Sequence, residues 1–311
     1  MRQAFLIIAH NQWWLVENLF RYLDSEDVDI YLHVNSLVEM PDIEKIKRKL
    51  RFSSLYIEDR KEIIWGKYGL MDVVYSFLEK ASAKEYDYYH IMSGQDVPLK
   101  SMAQLKQFLS ANIYINDSKN LMTNYINCHI PNGREEYFPV AQYNLFVAQW
   151  RNKNPLIRKL AKGTALLFNY FQSLLGINRF KNIDVILYKG DAFFSFSHEF
   201  VLYAITKREW VKEHFSKYSF APEEFIFQTL MMNSKYKNTV LKVNNNIHSN
   251  LRHVDFERGT PYVWRKTDYS ELLNTGDFFA RKFDLAIDRD IVVDLYNHVL
   301  TNEAEIELYG G

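Results

Sequence analysis

The stretch "FAPEEFIFQTLMMNS" (residues 220–234) sets two carboxylates, Glu223 and Glu224, directly after a proline and ahead of an apolar helical run. The pair can be read in two ways. Proline and acidic residues suit the first turn of a helix, where a carboxylate meets the positive end of the dipole. A glutamate facing a cleft could instead take a proton from a hydroxyl within hydrogen-bond reach. Neighbours on a helix point about 100° apart, so at most one of the two is expected to serve as a base. Dibasic pairs follow in "VWRKTD" (Arg265, Lys266) and "FARKFD" (Arg281, Lys282). A guanidinium fork and an ammonium point charge are groups that could neutralise a departing diphosphate. Two Asp-x-Asp triplets, "DVD" (27–29) and "DRD" (288–290), have the form of a metal site. The first enters a strand, the wrong end for a ligand, and the second lies near the last helix. Both read as solvated carboxylates at element ends, so no metal site is assigned. Neither a GxGxxG nor a P-loop pattern is present, and any nucleotide must be held by side chains and strand-end backbone.

The elements that must position these groups alternate along the first third of the chain. "QAFLIIAHN", "VDIYLHVN", "SSLYIE" and "YDYYHIMSG" have strand patterns, separated by helical patterns in "QWWLVENLFRYL", "PDIEKIKRKL" and "YGLMDVVYSFLEKASA". Strand–helix alternation predicts an α/β fold with a mostly parallel central sheet covered by helices on both faces. Such sheets take ligands at the carboxyl ends of their strands. The polar tails "AHN" (9–11), "HVN" (33–35) and "SGQD" (93–96) are therefore expected at one rim, with His10, Asn35 and Asp96 near a nucleotide. Turn capping is the alternative role for all three.

Farther on the pattern loosens. Residues 112–150 hold a strand-like "LMTNYINCHI" and then a polar, aromatic loop, "PNGREEYFPVAQYN". Residues 154–180 are amphipathic and helical, with Arg158, Lys159, Lys162 and Arg179. They read either as a packed helix pair with a solvated basic edge or as a surface that meets anionic lipid or a lipid-linked acceptor. "DVILYKGDAFFSFSHEFVLYAI" reads as strand, turn at Gly190–Asp191, strand and helix start, and the C-terminal part as a polar loop leading to a last helix. Without repeats or low-complexity tracts, one domain over 1–311 is the simplest reading. It would comprise a nucleotide-binding half, 1–110, and an acceptor and catalytic half, 111–311.

Composition narrows the function. Lys+Arg and Asp+Glu are equal at 38 each in 311 residues, so the positive field that bulk nucleic-acid binding needs is missing. The chain is rich in aromatic residues, with 22 Phe, 21 Tyr and 6 Trp, which suits the handling of sugars. A single cysteine, Cys128, rules out an intrachain disulfide and a cysteine-based zinc cage. The N-terminal apolar run is too short for a signal peptide or a spanning helix, so the expected location is the cytoplasm.

The chain resembles the core-2/I-branching β-1,6-N-acetylglucosaminyltransferase family, which also contains the peptide O-xylosyltransferases. The resemblance rests on pieces in the family's order: "IIAHN", "YLHVN", "WGKYGLMDVVYSFLEKA" (65–81), "YDYYHIMSGQDVPLKS" (86–101), "LYKGDAFFSFSHEFV" (187–201), "FAPEEFIFQTL" (220–230), "LRHVDFERG" (251–259) and "FFARKFD" (278–284). It implies a single GT-A type domain that inverts the anomeric centre without the usual metal and uses a UDP-sugar donor and no other cofactor. The family's S-P-x-E motif places the base on Glu224, and its diphosphate-binding lysine falls on Lys282, with a second basic residue nearest to Arg265. The acceptor-binding W-x-Y pair falls on His253 and Asp255, a departure that implies another acceptor. The expected partners are a UDP-sugar and a glycan or lipid-linked glycan. UDP-N-acetylglucosamine is the first donor and UDP-xylose an alternative, and a non-catalytic carbohydrate-binding protein is the reading from another class. The family's animal members carry a membrane anchor and paired cysteines. Their lack here implies a bacterial cytoplasmic enzyme, with 154–180 as peripheral contact to the inner membrane face.

Overall fold

A computed structural model describes residues 1–116, 119–145, 149, 154–242 and 247–300. Strand β1 (Gln3–Ala9) is buried along its whole length. It lies between β2 (Val28–Val34) and β4 (Tyr88–Ser93), parallel to both, and β3 (Leu55–Ile57) extends the sheet beyond β2. A strand paired on both edges and covered on both faces has no polar side, which is why "QAFLIIA" is apolar without alternation. Its side chains still alternate. Phe5, Ile7 and Ala9 enter one core, with Leu15 and Leu19 of α1 (Trp13–Leu23). Ala4, Leu6 and Ile8 enter the other, with Val74 and Phe77 of α3 (Gly69–Ser82). The charged run after Pro41 yields only a short helix, α2 (Ile43–Lys47), capped by Asp42.

Beyond β4 the chain forms β5 (Val97–Pro98), α4 (Met102–Ala111), the hairpin β6 (Ile113–Asn116) and β7 (Lys119–Met122), then α5 (Gly133–Ala141) and α6 (Pro155–Leu174). Two expectations are corrected here. The segment read as a polar loop contains α5, despite Pro139 within it. The segment read as a packed helix pair is one helix, α6, on which only Ala161, Ala165 and Gln172 are buried.

Strand β8 (Phe194–Ser197) closes the five-stranded sheet antiparallel to β4, in the order β3-β2-β1-β4-β8. Helices α7 (His198–Thr206), α8 (Arg208–Phe215) and α9 (Ile226–Met232) follow, and side chains from each enter the same core as α3. A second sheet has the order β5-β10-β9, from β9 (Arg252–Val254) and β10 (Phe279–Arg281), with α10 (Tyr269–Asn274) between them. Strand β10 falls in what reads as a polar loop. The last helix, α11 (Asp290–Leu300), packs Ile291 and Leu295 beside α1, so helices cover both faces of the main sheet. The fully buried His90 bonds Ser195 Oγ through Nδ1 at 2.7 Å and Gln3 Oε1 through Nε2 at 2.9 Å, joining β1, β4 and β8. Burial holds its pKa down at about 3, so this ring is a neutral structural pin.

Candidate functional site

A cavity of about 400 Å³ opens at the carboxyl ends of β1, β2 and β4, where Ile8, His10, Asn35, Ser93 and Gln95 border it. The opposite wall comes from the second half of the chain, through Asp191, Glu223, Glu224, Arg252 and Arg281. The cavity therefore forms where the main sheet meets the small one, and β5 pairing with β10 holds the two together.

Glu223 and Glu224 lie in a single 3-10 turn, Pro222–Glu224, ahead of α9. Both residues border the cavity. They differ in environment. The Glu224 side chain stays 40% exposed, with Oε2 3.8 Å from Lys189 Nζ. Burial in the wall raises its pKa, Lys189 opposes the rise and Asp191 adds to it. Glu223 is buried, its Oε2 has no hydrogen-bond partner, and burial pushes its pKa up to about 8. At neutral pH Glu223 is mostly the neutral acid, which leaves Glu224 as the carboxylate of the pair that can take a proton.

The turn is set from behind by close backbone contact. The Gly190 amide donates to the Glu224 carbonyl at 2.8 Å. A Cβ at Gly190 would stand 1.7 Å from the Asn127 carbonyl oxygen, so only glycine fits the approach. Asp191 accepts from Asn127 Nδ2 at 3.1 Å and Asn250 Nδ2 at 3.0 Å, which fixes the wall beside Glu224.

Glu223 also carries a stability prediction. Between its ordinary pKa of 4.5 and about 8 the folded chain keeps a proton that the unfolded chain has released. Stability therefore falls with rising pH across that window, by on the order of a few kcal/mol. Glu223→Gln is expected to match wild type at the acid end and to melt at a higher temperature at the alkaline end. Parallel melting curves at both ends are the check, and equal differences at the two ends would contradict a buried titrating carboxyl.

The residues singled out from sequence divide into three groups. Glu224, His10 and Asn35 border the cavity. Burial, then Lys282 and Arg281, lower the His10 pKa and keep the ring neutral. Asn35 is also a clip: Oδ1 accepts from the Ile63 amide at 3.2 Å, and Nδ2 donates to the Ile63 carbonyl at 2.9 Å, holding the wall that carries Trp65 and Lys67. A second group lies close behind. Asp96 is fully buried, 3.6 Å from Arg252 Nε and 3.6 Å from Arg281 Nε, and so anchors the two arginines that do reach the cavity. Lys282 is half-buried near His10 without bordering the cavity.

The third group is not brought to the cavity. The Arg265 side chain is exposed at the start of the 3-10 turn before α10. On β9 the residues alternate, so Arg252 and Val254 border the cavity and His253 faces away, stacked on Trp264 at 5.1 Å. Asp255 caps the following turn, accepting from the Glu257 amide at 2.7 Å and the Arg258 amide at 2.9 Å, while Phe256 reaches the cavity. Of the two acidic triplets, Asp29 accepts from Tyr86 Oη at 2.5 Å at the amino end of β2, and Asp288 accepts from the Lys266 amide at 2.8 Å. Among the described residues His248, His253 and Asp277 have spacing suited to a metal ion. They lie on the His253 side of β9, and His248 Nδ1 already bonds Asp277 Oδ2 at 2.6 Å.

Arg252, Lys67, Trp65 and Asp191 carry no sequence signal beyond their place in the matched pieces. Arg281 stood in the dibasic pair beside Lys282, and only the tertiary structure shows that Arg281, the last residue of β10, borders the cavity.

A mostly parallel sheet with carboxylates and cations converging at its carboxyl rim, around a cavity large enough for a small charged substrate, has the form of an α/β ligand-binding site. Residues 3–274 match the family model described as Core-2/I-Branching enzyme, and the chain belongs to that family of glycosyltransferases. The comparison with curated proteins finds no match.

Proposed function

We propose that the chain transfers a sugar, N-acetylglucosamine in the first instance, from a UDP-sugar to a hydroxyl of a glycan or lipid-linked glycan, with inversion and without a metal ion. The observation that carries this reading is Glu224: an accessible carboxylate with a raised pKa, in the same cavity as Arg281 and Lys67. Glu224 takes the proton of the acceptor hydroxyl as its oxygen attacks the anomeric carbon. The bond from that carbon to the diphosphate breaks on the opposite side, and its electron pair leaves with UDP. Arg281, with its guanidinium over the Phe193 ring at 4.3 Å, meets the charge that builds on the leaving oxygen. Lys282, beside His10, supports it. Asp96 holds Arg281 in place, and Arg265 has no part in this step. Placement of the acceptor falls to the Val254 and Phe256 side of the chain following β9, with His253 and Asp255 setting that segment from behind. The activity is assigned to the cytoplasmic side of a bacterial membrane, in the building of surface polysaccharide.

The test is UDP release from a panel of UDP-sugars, including UDP-N-acetylglucosamine and UDP-xylose, with and without EDTA. Release from one donor, unchanged by EDTA, is expected. Release that EDTA abolishes would overturn the metal-free step, and no release from any donor would overturn the reaction.

A further inference from the structure

Helix α6 presents an apolar face that no described part of the chain covers. Leu156, Leu160, Leu167, Tyr170, Phe171 and Leu174 are 53–64% exposed. At 3.6 residues per turn they form one stripe along the helix. The opposite face holds the helix to the body: Ala161 and Ala165 are buried, Gln172 Oε1 accepts from the Tyr143 amide at 2.8 Å, and Gln142 donates to Ser173 Oγ at 3.0 Å. The stripe therefore points outward, the reverse of an ordinary amphipathic helix on a globular surface. Exposed patches of this kind mark interaction sites.

Charge selects the occupant. Exposed Lys159 borders the stripe, with exposed Lys162 and Arg158 farther round the same turns. Between Glu136 and Asp184 the sequence holds no acidic residue, while Arg151, Lys153, Arg179 and Lys181 add further positive charge. An apolar stripe with aromatic rings and a cationic border fits the interface of an anionic bilayer, where such a helix lies in the surface plane. A twofold contact with a second copy would set these cationic borders against each other. No helix among the described residues is long and apolar enough to cross a membrane, so the contact is peripheral.

We propose that α6 docks the protein on an anionic phospholipid surface. A groove lined by Asn144, Leu145 and Tyr218 shares Ile64 and Lys67 with the main cavity, and Asn169 of α6 donates to Asn144 Oδ1 at 3.5 Å. A lipid-carried acceptor would thus reach Glu224 along the protein without leaving the surface. That last step alone rests on the transfer reading; docking itself is measured without donor or acceptor.

The experiment is flotation of the full chain with vesicles of phosphatidylcholine alone and of equal parts phosphatidylcholine and phosphatidylglycerol. Binding to the anionic vesicles only, weakened by salt, is expected. Lys159→Gln with Lys162→Gln should lower partition on the order of twentyfold, each lysine contributing about fivefold. Leu160→Gln with Leu167→Gln should abolish it, with melting temperature and UDP release kept as controls. Absence of binding by the wild type, or equal binding by both double variants, overturns the proposal. So does a dimer in sedimentation equilibrium that Leu160→Gln with Leu167→Gln converts to monomer, since a second copy would then cover the stripe.

Discussion

Glu224→Gln lowers turnover by roughly 10²–10⁴-fold and leaves UDP affinity in place, the loss expected for removal of a general base. Glutamine keeps the size of the side chain and the backbone contact with Gly190, so the turn is preserved. What disappears is the oxygen that can hold a proton. The wild-type pH profile carries a second mark of the same group. Burial raises the Glu224 pKa, so kcat/KM should fall with acidification through a midpoint above the ordinary carboxylate value of 4.5. The variant should lose that limb. Initial rates across pH, with UDP binding titrated separately, give both readouts. A variant with near-wild-type rate would place the base elsewhere, and a variant that no longer binds UDP would point to damage of the cavity.

Asp96→Asn is expected to destabilise the fold by about 3–5 kcal/mol, the scale on which a buried ion pair responds to loss of one partner. Asp96 is fully buried and Arg252 is 2% exposed. Arg252 is held further by its own donations, to the Asn250 carbonyl at 2.7 Å and the Ile91 carbonyl at 2.9 Å. The Arg281 guanidinium is held by its ion pair with Asp96 and by the Phe193 ring beneath it. Asparagine retains an acceptor for the Ser93 amide, so the change isolates the charge. Denaturant midpoints at constant m-value measure the loss, and UDP titration near the fold's remaining stability measures the displacement of Arg281. A change under about 1 kcal/mol, the scale of an exposed pair, would mean that cavity water already solvates the guanidinium groups.

The parts of this architecture legible in the sequence are those with local causes. The continuous apolar runs of β1 and β4, the helical spacing of α1 and α3, and their alternation point to a parallel sheet covered on both faces, with polar strand tails at one rim. The helical and amphipathic character of 154–180 was legible too, since apolar spacing and basic residues are local properties. Helix α5 was not, because Pro139 and the clustered polar residues of 132–144 read as loop signals, and the helix forms in a context of tertiary contacts. Strand β10 is three residues long, and its pairing with β5 and β9 joins segments far apart in sequence.

By itself the chain determined the class of fold, the family and some of the carboxylates and cations that chemistry could use, Glu224 and Arg281 among them, because each is carried by residue type, order and spacing. Only the tertiary structure decided which of them meet. A strand turns successive side chains to opposite faces, so a single step along β9 separates Arg252 and Val254 from His253. Burial, which depends on everything packed around a group, made Glu223 a neutral acid and left its neighbour Glu224 reachable. It also turned Asp96 from a strand-end ligand into the anchor beneath two arginines.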